Sequence, residues 1–245
     1  MIAVLRSGSK GNASFLMKEE EILLIDFGIT SKVFFDFLKS HDIDIKKKKV
    51  SIIITHVHSD HIKGLKTLKK KLNFIAYTEA KNIPDLNDKT GIDALDIDSF
   101  NAKHFKLDYF PLSHDEPNIG LIIDMGLELV HITDTGYLKK ALYKQITNKD
   151  VYILEFNHDT DMLLNGSYPL NVKQRIIGDY GHLSNDTSLS IINDLKGPKT
   201  KYLFMAHISS NNNDRTLLEN NYIPKIKGLK TYLTYENRCS EVIDD

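Results

Sequence analysis

The chain of 245 residues has one cysteine, Cys239, and that scarcity excludes a disulfide scaffold and any cysteine-rich zinc site. Net charge is close to zero, with 32 Lys+Arg against 33 Asp+Glu, so composition gives no argument for a polyanionic partner; such a contact would need a local patch. No apolar run approaches the roughly 20 residues of a membrane span. The opening MIAVLRSGSKG lacks the charged, apolar and small-residue order of a signal peptide. A cytoplasmic location without membrane contact is the expectation. No linker or low-complexity stretch interrupts the chain, which reads as one domain over 1–245.

What is present is a run of short apolar strands with polar ends. MIAVL, ASFLMK and EILLID open the chain, and SGSKGN at 7–12 joins the first two. Helical spacing over 30–40 follows, then the β-branched strand VSIIIT at 50–55. A helix is expected from about Ile62 to Leu72, then FIAYT and an irregular acidic stretch around 82–100. Strands resume with HFKLDYFPLS, IGLIIDM, LELVHIT and DVYILEF. Helical signal returns at 137–146 and at 186–195, where Asn185 or Asp186 is the expected cap. KYLFMA and KTYLTYE read as the last strands. The two halves share this outline of strands followed by helix, and two sheets covered by helices fit it.

Four strand ends carry chemistry. VSIIIT ends at His56, YFPLS at His114, LVHIT at Asp134 and LFMA at His207. Side chains at several strand ends can converge in one cleft. THVHSDH places His56, His58, Asp60 and His61 on what reads as one tight loop, and three imidazoles clustered at a core edge without a metal would leave costly polar atoms there. Two metal ions need roughly six to eight imidazole and carboxylate ligands, and seven are present. His41 and His104, in polar surroundings, and His131, inside a strand, read as ordinary satisfied histidines.

HVHSDH resembles the HxHxDH signature of the metallo-β-lactamase-fold hydrolases, and the later residues follow in that family's order. The resemblance implies an α/β fold of αββα sandwich type, with two mixed sheets flanked by helices. It implies two divalent metal ions, zinc or manganese: His56, His58 and His114 on one, Asp60, His61 and His207 on the other, and Asp134 between them. GHLSN at 181–185 is similar to the GHST segment of ribonuclease Z and its phosphodiesterase relatives, and ILEFNHD to their strand supplying a carboxylate. With SGSKGN, YP…KQRI and AHISSNNN, the chain looks most like the YycJ/WalJ branch of 5′-to-3′ DNA exonucleases.

The chemistry follows from residue types. Two metal ions lower the pKa of a water and polarise a phosphoryl oxygen. The leaving alkoxide needs a proton, which His182 can supply as general acid, oriented and kept cationic by Glu155. Asp60, His182 and Glu155 are therefore the expected catalytic residues. His158, near Glu155, reads as a supporting partner. Ser9, Asn12 and Asn212 are the expected substrate contacts, weighed against ordinary turn chemistry in SGSKGN and a surface loop at 211–213. The basic runs at 46–49 and 66–72, with Lys173 and Arg175, read as solvated faces rather than a nucleic-acid path. DNA is the favoured substrate; RNA or a cyclic nucleotide is the alternative for the same residues, and a non-catalytic metal-binding protein is the rival of another class.

Overall fold

The computed structural model describes residues 1–244; the last position of the expected domain range, 245, lies outside them. The chain divides into two compact units. The first holds residues 1–106 and the return segment from Tyr235, the second Leu107–Thr234.

In the first unit, β1 (Ile2–Arg6), β2 (Ala13–Lys18), β3 (Glu21–Ile25), β4 (Lys49–Ile53), β5 (Ile75–Thr78) and β6 (Leu95–Asp96) form one sheet in chain order. The β1/β2 and β2/β3 pairs are antiparallel, and the β3/β4, β4/β5 and β5/β6 pairs are parallel. One face, carrying Ala3, Leu5, Phe15, Ile22, Leu24 and Ile52, packs in a single apolar cluster with Phe34, Phe37 and Leu38 of α1 (Ser31–Ser40). Thr30 caps that helix through Val33 N, and Phe37 sits edge-on to Phe15 with ring centroids 4.9 Å apart. The return segment closes the free edge of β1: Ile2 and Ile243 exchange backbone hydrogen bonds of 2.7 and 2.9 Å, and Ser240 N donates to Val4 O.

The expected helix over 62–72 is two short ones, α2 (Ser59–Ile62) and α3 (Leu65–Lys69). Helix α2 begins inside the histidine motif, so Asp60 and His61 ride on a helical turn rather than a loop. Gly64, between the two, explains the break: a Cβ there would lie 1.9 Å from Ile29 O. The stretch expected to be irregular contains α4 (Ile83–Thr90), with Pro84 in its first turn and the left-handed Gly91 at its end. That pairing of an early Pro and a terminal Gly was a readable helix signal.

The second unit repeats the plan. Its sheet runs β7 (Lys106–Leu112), β8 (Asn118–Asp124), β9 (Glu128–Ile132), β10 (Val151–Glu155), β11 (Tyr202–Ala206), β12 (Lys230–Leu233), again in chain order. The β8/β9 pair is antiparallel; β9/β10, β10/β11 and β11/β12 are parallel. Both sheets are therefore mixed and flanked by helices, as expected. Over 137–146 only a 3₁₀ turn and α5 (Tyr143–Ile146) form. Two helices that periodicity did not single out, α6 (Thr160–Asn165) and α7 (Leu170–Ile177), precede α8 (Asn185–Leu195). The cap of α8 is Ser184, whose Oγ accepts from Thr187 N, rather than Asn185 or Asp186. No helix of the described residues is long and apolar enough to cross a membrane.

Candidate active site

Parallel strands place their following residues side by side, and both units use this. In the first unit, Asp26 follows β3 and His56 follows β4. Asp26 is buried and sits in the left-handed region at φ 60°, a conformation that costs a non-glycine residue about 1–3 kcal/mol. Its carboxylate accepts from Thr55 N at 2.8 Å and from Thr55 Oγ1, and lies 2.8 Å from His61 Nδ1. With Nδ1 engaged, His61 presents Nε2, which stands 3.6 Å from Asp60 Oδ2. His56 Nε2 and His58 Nδ1 lie 3.1 Å apart, and the His56 and His61 rings are 4.0 Å apart. His56 and His61 are fully buried. Imidazole nitrogens and carboxylate oxygens gathered at such distances fit a divalent cation. Cys239 packs against the apolar cluster of this unit, consistent with a ligand set free of thiolate.

The SGSKGN loop braces that turn. Asn12 is 8 % exposed; its Oδ1 accepts from Gly8 N, and its Nδ2 reaches Gly8 O, Asp60 Oδ2 and His61 Nε2 at 3.0–3.1 Å. Asn12 N donates to Asp60 O, Gly28 N to Asn12 O and Phe27 N to His61 O. Only glycine fits at 28, where a Cβ would stand 1.5 Å from Asp60 O. Ser9 is exposed, and its hydroxyl donates to Glu236 of the return segment at 3.2 Å.

In the second unit, Asp134 follows β9, Glu155 ends β10 and His207 follows β11. Asp134 and His207 are left-handed, at φ 59° and 52°. Glu155 is fully buried and takes four donors: His182 Nδ1 at 2.7 Å and His207 Nδ1 at 2.9 Å on Oε1, Leu183 N and Thr135 N at 3.2 Å on Oε2. Burial alone would raise this carboxyl, but the charge and hydrogen bond of His182, helped by His207, hold it well below the usual carboxylate range. His207 Nε2 lies 3.3 Å from Asp134 Oδ1. Ligand-type atoms of Asp134, Glu155, His182 and His207 all lie within 4.8 Å of one another. The imidazoles of His114, His182 and His207 follow in series, with centroids 5.5 and 5.2 Å apart.

The expected Glu155–His182 pair, 27 residues apart in sequence, is thus in contact. Sequence reasoning missed that the same carboxylate also holds His207. It missed Asp26, although EILLID ends in an acid just as the other site strands end in a ligand type. It also missed Asn118, whose Nδ2 ties Asp134 O and Thr133 O at 2.7 and 2.9 Å. Asn212 is 2 % exposed, its backbone held by Ser209 and Asp159. Asn213 is a buried bracket, with Nδ2 on Phe156 O, Asn157 O and Asn185 Oδ1, and Oδ1 on Asn185 Nδ2. Burial pushes the imidazole of His158 down to about 4, which keeps it neutral. Lys173 donates to Leu164 O, and Arg175 stands 3.6 Å from Asp115, whose other oxygen lies 3.2 Å from His114 Nε2.

The family model described as a beta-lactamase superfamily domain matches residues 34–208. An exodeoxyribonuclease of Bacillus anthracis, YycJ, is 33 % identical over 227 residues, covering 88 % of this chain and 84 % of its own. The exodeoxyribonuclease WalJ of Streptococcus pneumoniae serotype 2 is 32 % identical over 231 residues, with the same two coverages. Among solved structures, the metallo-beta-lactamase fold protein YhfI of Bacillus subtilis is similar in fold, with a TM-score of 0.70 at 16 % identity, over 98 % of this chain and all of that one.

Proposed function

The chain belongs to the beta-lactamase superfamily, and from that premise we propose that it is a dinuclear metal-dependent phosphodiesterase, an exonuclease attacking DNA in the 5′-to-3′ direction in the cytoplasm. Its cofactors are two zinc or manganese ions. The first unit offers His56, His58, Asp60 and His61 as ligands, the second His114, Asp134 and His207. When bound, such ions supply hydroxide near neutral pH and polarise the phosphoryl oxygen.

The observation carrying this reading is the Glu155–His182 hydrogen bond of 2.7 Å, made inside a group of ligand-type residues. A buried carboxylate accepting from Nδ1 of His182 orients the ring. The other nitrogen then delivers a proton to the departing sugar oxygen. Phosphodiester cleavage expels an alkoxide and needs that proton, whereas the thiolate of a thioester leaves without one. Glu155 acts through the histidines it holds, and Asp60 stands in the catalytic set through its place beside His61. Ser9, Asn12 and Asn212 stay assigned to the substrate side, and Asn12 also steadies Asp60 and His61.

The test is turnover by metal-loaded protein on 5′-phosphorylated duplex DNA, single-stranded DNA, RNA and cyclic nucleotides. DNA ends are expected to be degraded fastest. Preference for RNA or a cyclic nucleotide would replace the substrate, and inactivity on all four would remove the enzyme reading.

A further inference from the structure

Three loops of the second unit meet at one point. Ser113 O accepts from Gly136 N at 3.0 Å, and Ser113 Oγ donates to Asp179 O at 2.7 Å. Gly136 lies so close to the 178–179 backbone that a Cβ would stand 2.3 Å from Asp179 O. The residue after each member of this junction lines one open cleft of about 200 Å³: His114 after Ser113, Tyr137 after Gly136 and Tyr180 after Asp179. Leu138 and Lys139 complete the lining that matters.

Tyr137 is 40 % and Tyr180 64 % exposed, although each is tethered to a rigid backbone junction. Large aromatic side chains left in solvent forgo burial worth about 1.5–3 kcal/mol. These loops are also the ones that carry Asp134 and His182, two residues of the candidate site. Lys139 is exposed and has no ion-pair partner among the described residues.

We propose that this cleft is a nucleotide subsite, in which Tyr137 and Tyr180 stack on a base of single-stranded DNA and Lys139 holds a neighbouring phosphate. The proposal rests on the phosphodiesterase reading and adds its recognition element. Stacking on tyrosine is indifferent to base identity, since every base offers a π-face, and so suits an enzyme that must advance along any sequence. The junction supplies the preorganisation: the aromatic positions are set by the same backbone contacts that set His114, so a base seated there has its phosphate held at a fixed offset from the imidazoles.

The experiment measures binding, by fluorescence anisotropy, of metal-loaded protein to turnover-resistant phosphorothioate strands with either normal bases or abasic residues. The wild-type chain is expected to prefer the base-bearing strand by about 5- to 150-fold. Tyr137→Ala and Tyr180→Ala should each shrink that preference, Tyr→Phe at either position should keep it, and Lys139→Ala should lower the salt dependence of binding to both strands. Equal affinity of the wild type for both strands, or a preference untouched by the alanine variants, overturns the subsite. Base-dependent binding without hydrolysis of any phosphodiester would remove the nuclease reading and leave the subsite standing; DNA hydrolysis without base preference would do the reverse.

Discussion

The Asp26 carboxylate lies 2.8 Å from Nδ1 of His61, and both side chains are buried. Asp26 also fixes Thr55, the residue before His56, so one carboxylate orients two neighbouring parts of the histidine motif. Asp26→Ala is expected to weaken metal binding about 10–100-fold. Competition against a chelator of known affinity checks this, and unchanged affinity would reduce Asp26 to a turn residue.

Glu155 holds two imidazoles with different assignments, which separates its variant from that of either partner. His182→Ala should keep its metal and lose about 10²–10⁴ in rate, the range of a general acid. Glu155→Gln should lose both activity and metal affinity, because His207 loses its anchor. Metal analysis beside turnover distinguishes the two, and equal metal loss in both variants would contradict the division of labour.

Asn213 closes a buried bracket between the end of β10 and the start of α8. Truncation to Ala leaves the carbonyls of Phe156 and Asn157 without this donor, at a cost of about 1–3 kcal/mol. Urea unfolding of Asn213→Ala reads this as a lower midpoint with an unchanged slope.

Burial pushes the Cys239 thiol up to about 11, against an opposing effect of Arg6. The folded state therefore holds its proton more tightly than the unfolded chain. Its contribution is fully present below about pH 9 and is lost as pH rises through about 11. Stability should fall across that window, and Cys239→Ala should flatten the fall. At pH 8 the native chain should react with iodoacetamide far more slowly than the unfolded chain.

The strand ends carried most of the signal legible in the sequence. His56, His114, Asp134 and His207 were readable because a polar residue closing an apolar β-branched run violates local pattern, and such violations mark function. The meeting of Glu155 with His182 depended on the spacing of β10 and the loop before α8, which no local pattern encodes. Asp26 escaped because an acid ending one strand looks like a turn. Helices α6 and α7 are short and carry exposed Leu164, Leu170 and Ile177, so their apolar residues do not mark a buried face. The cap of α8 is Ser184, one residue before the expected Asn185 or Asp186, a boundary that only the backbone geometry sets.

The return segment has a bearing on how the two units are built. Residues 107–234 form an unbroken stretch, so the second unit is built from contiguous chain. The first unit keeps the β1 border open until Ser240 and Ile243 pair with Val4 and Ile2. The unit that carries the HVHSDH motif therefore starts first along the chain and yet depends on residues that follow the whole of the second unit.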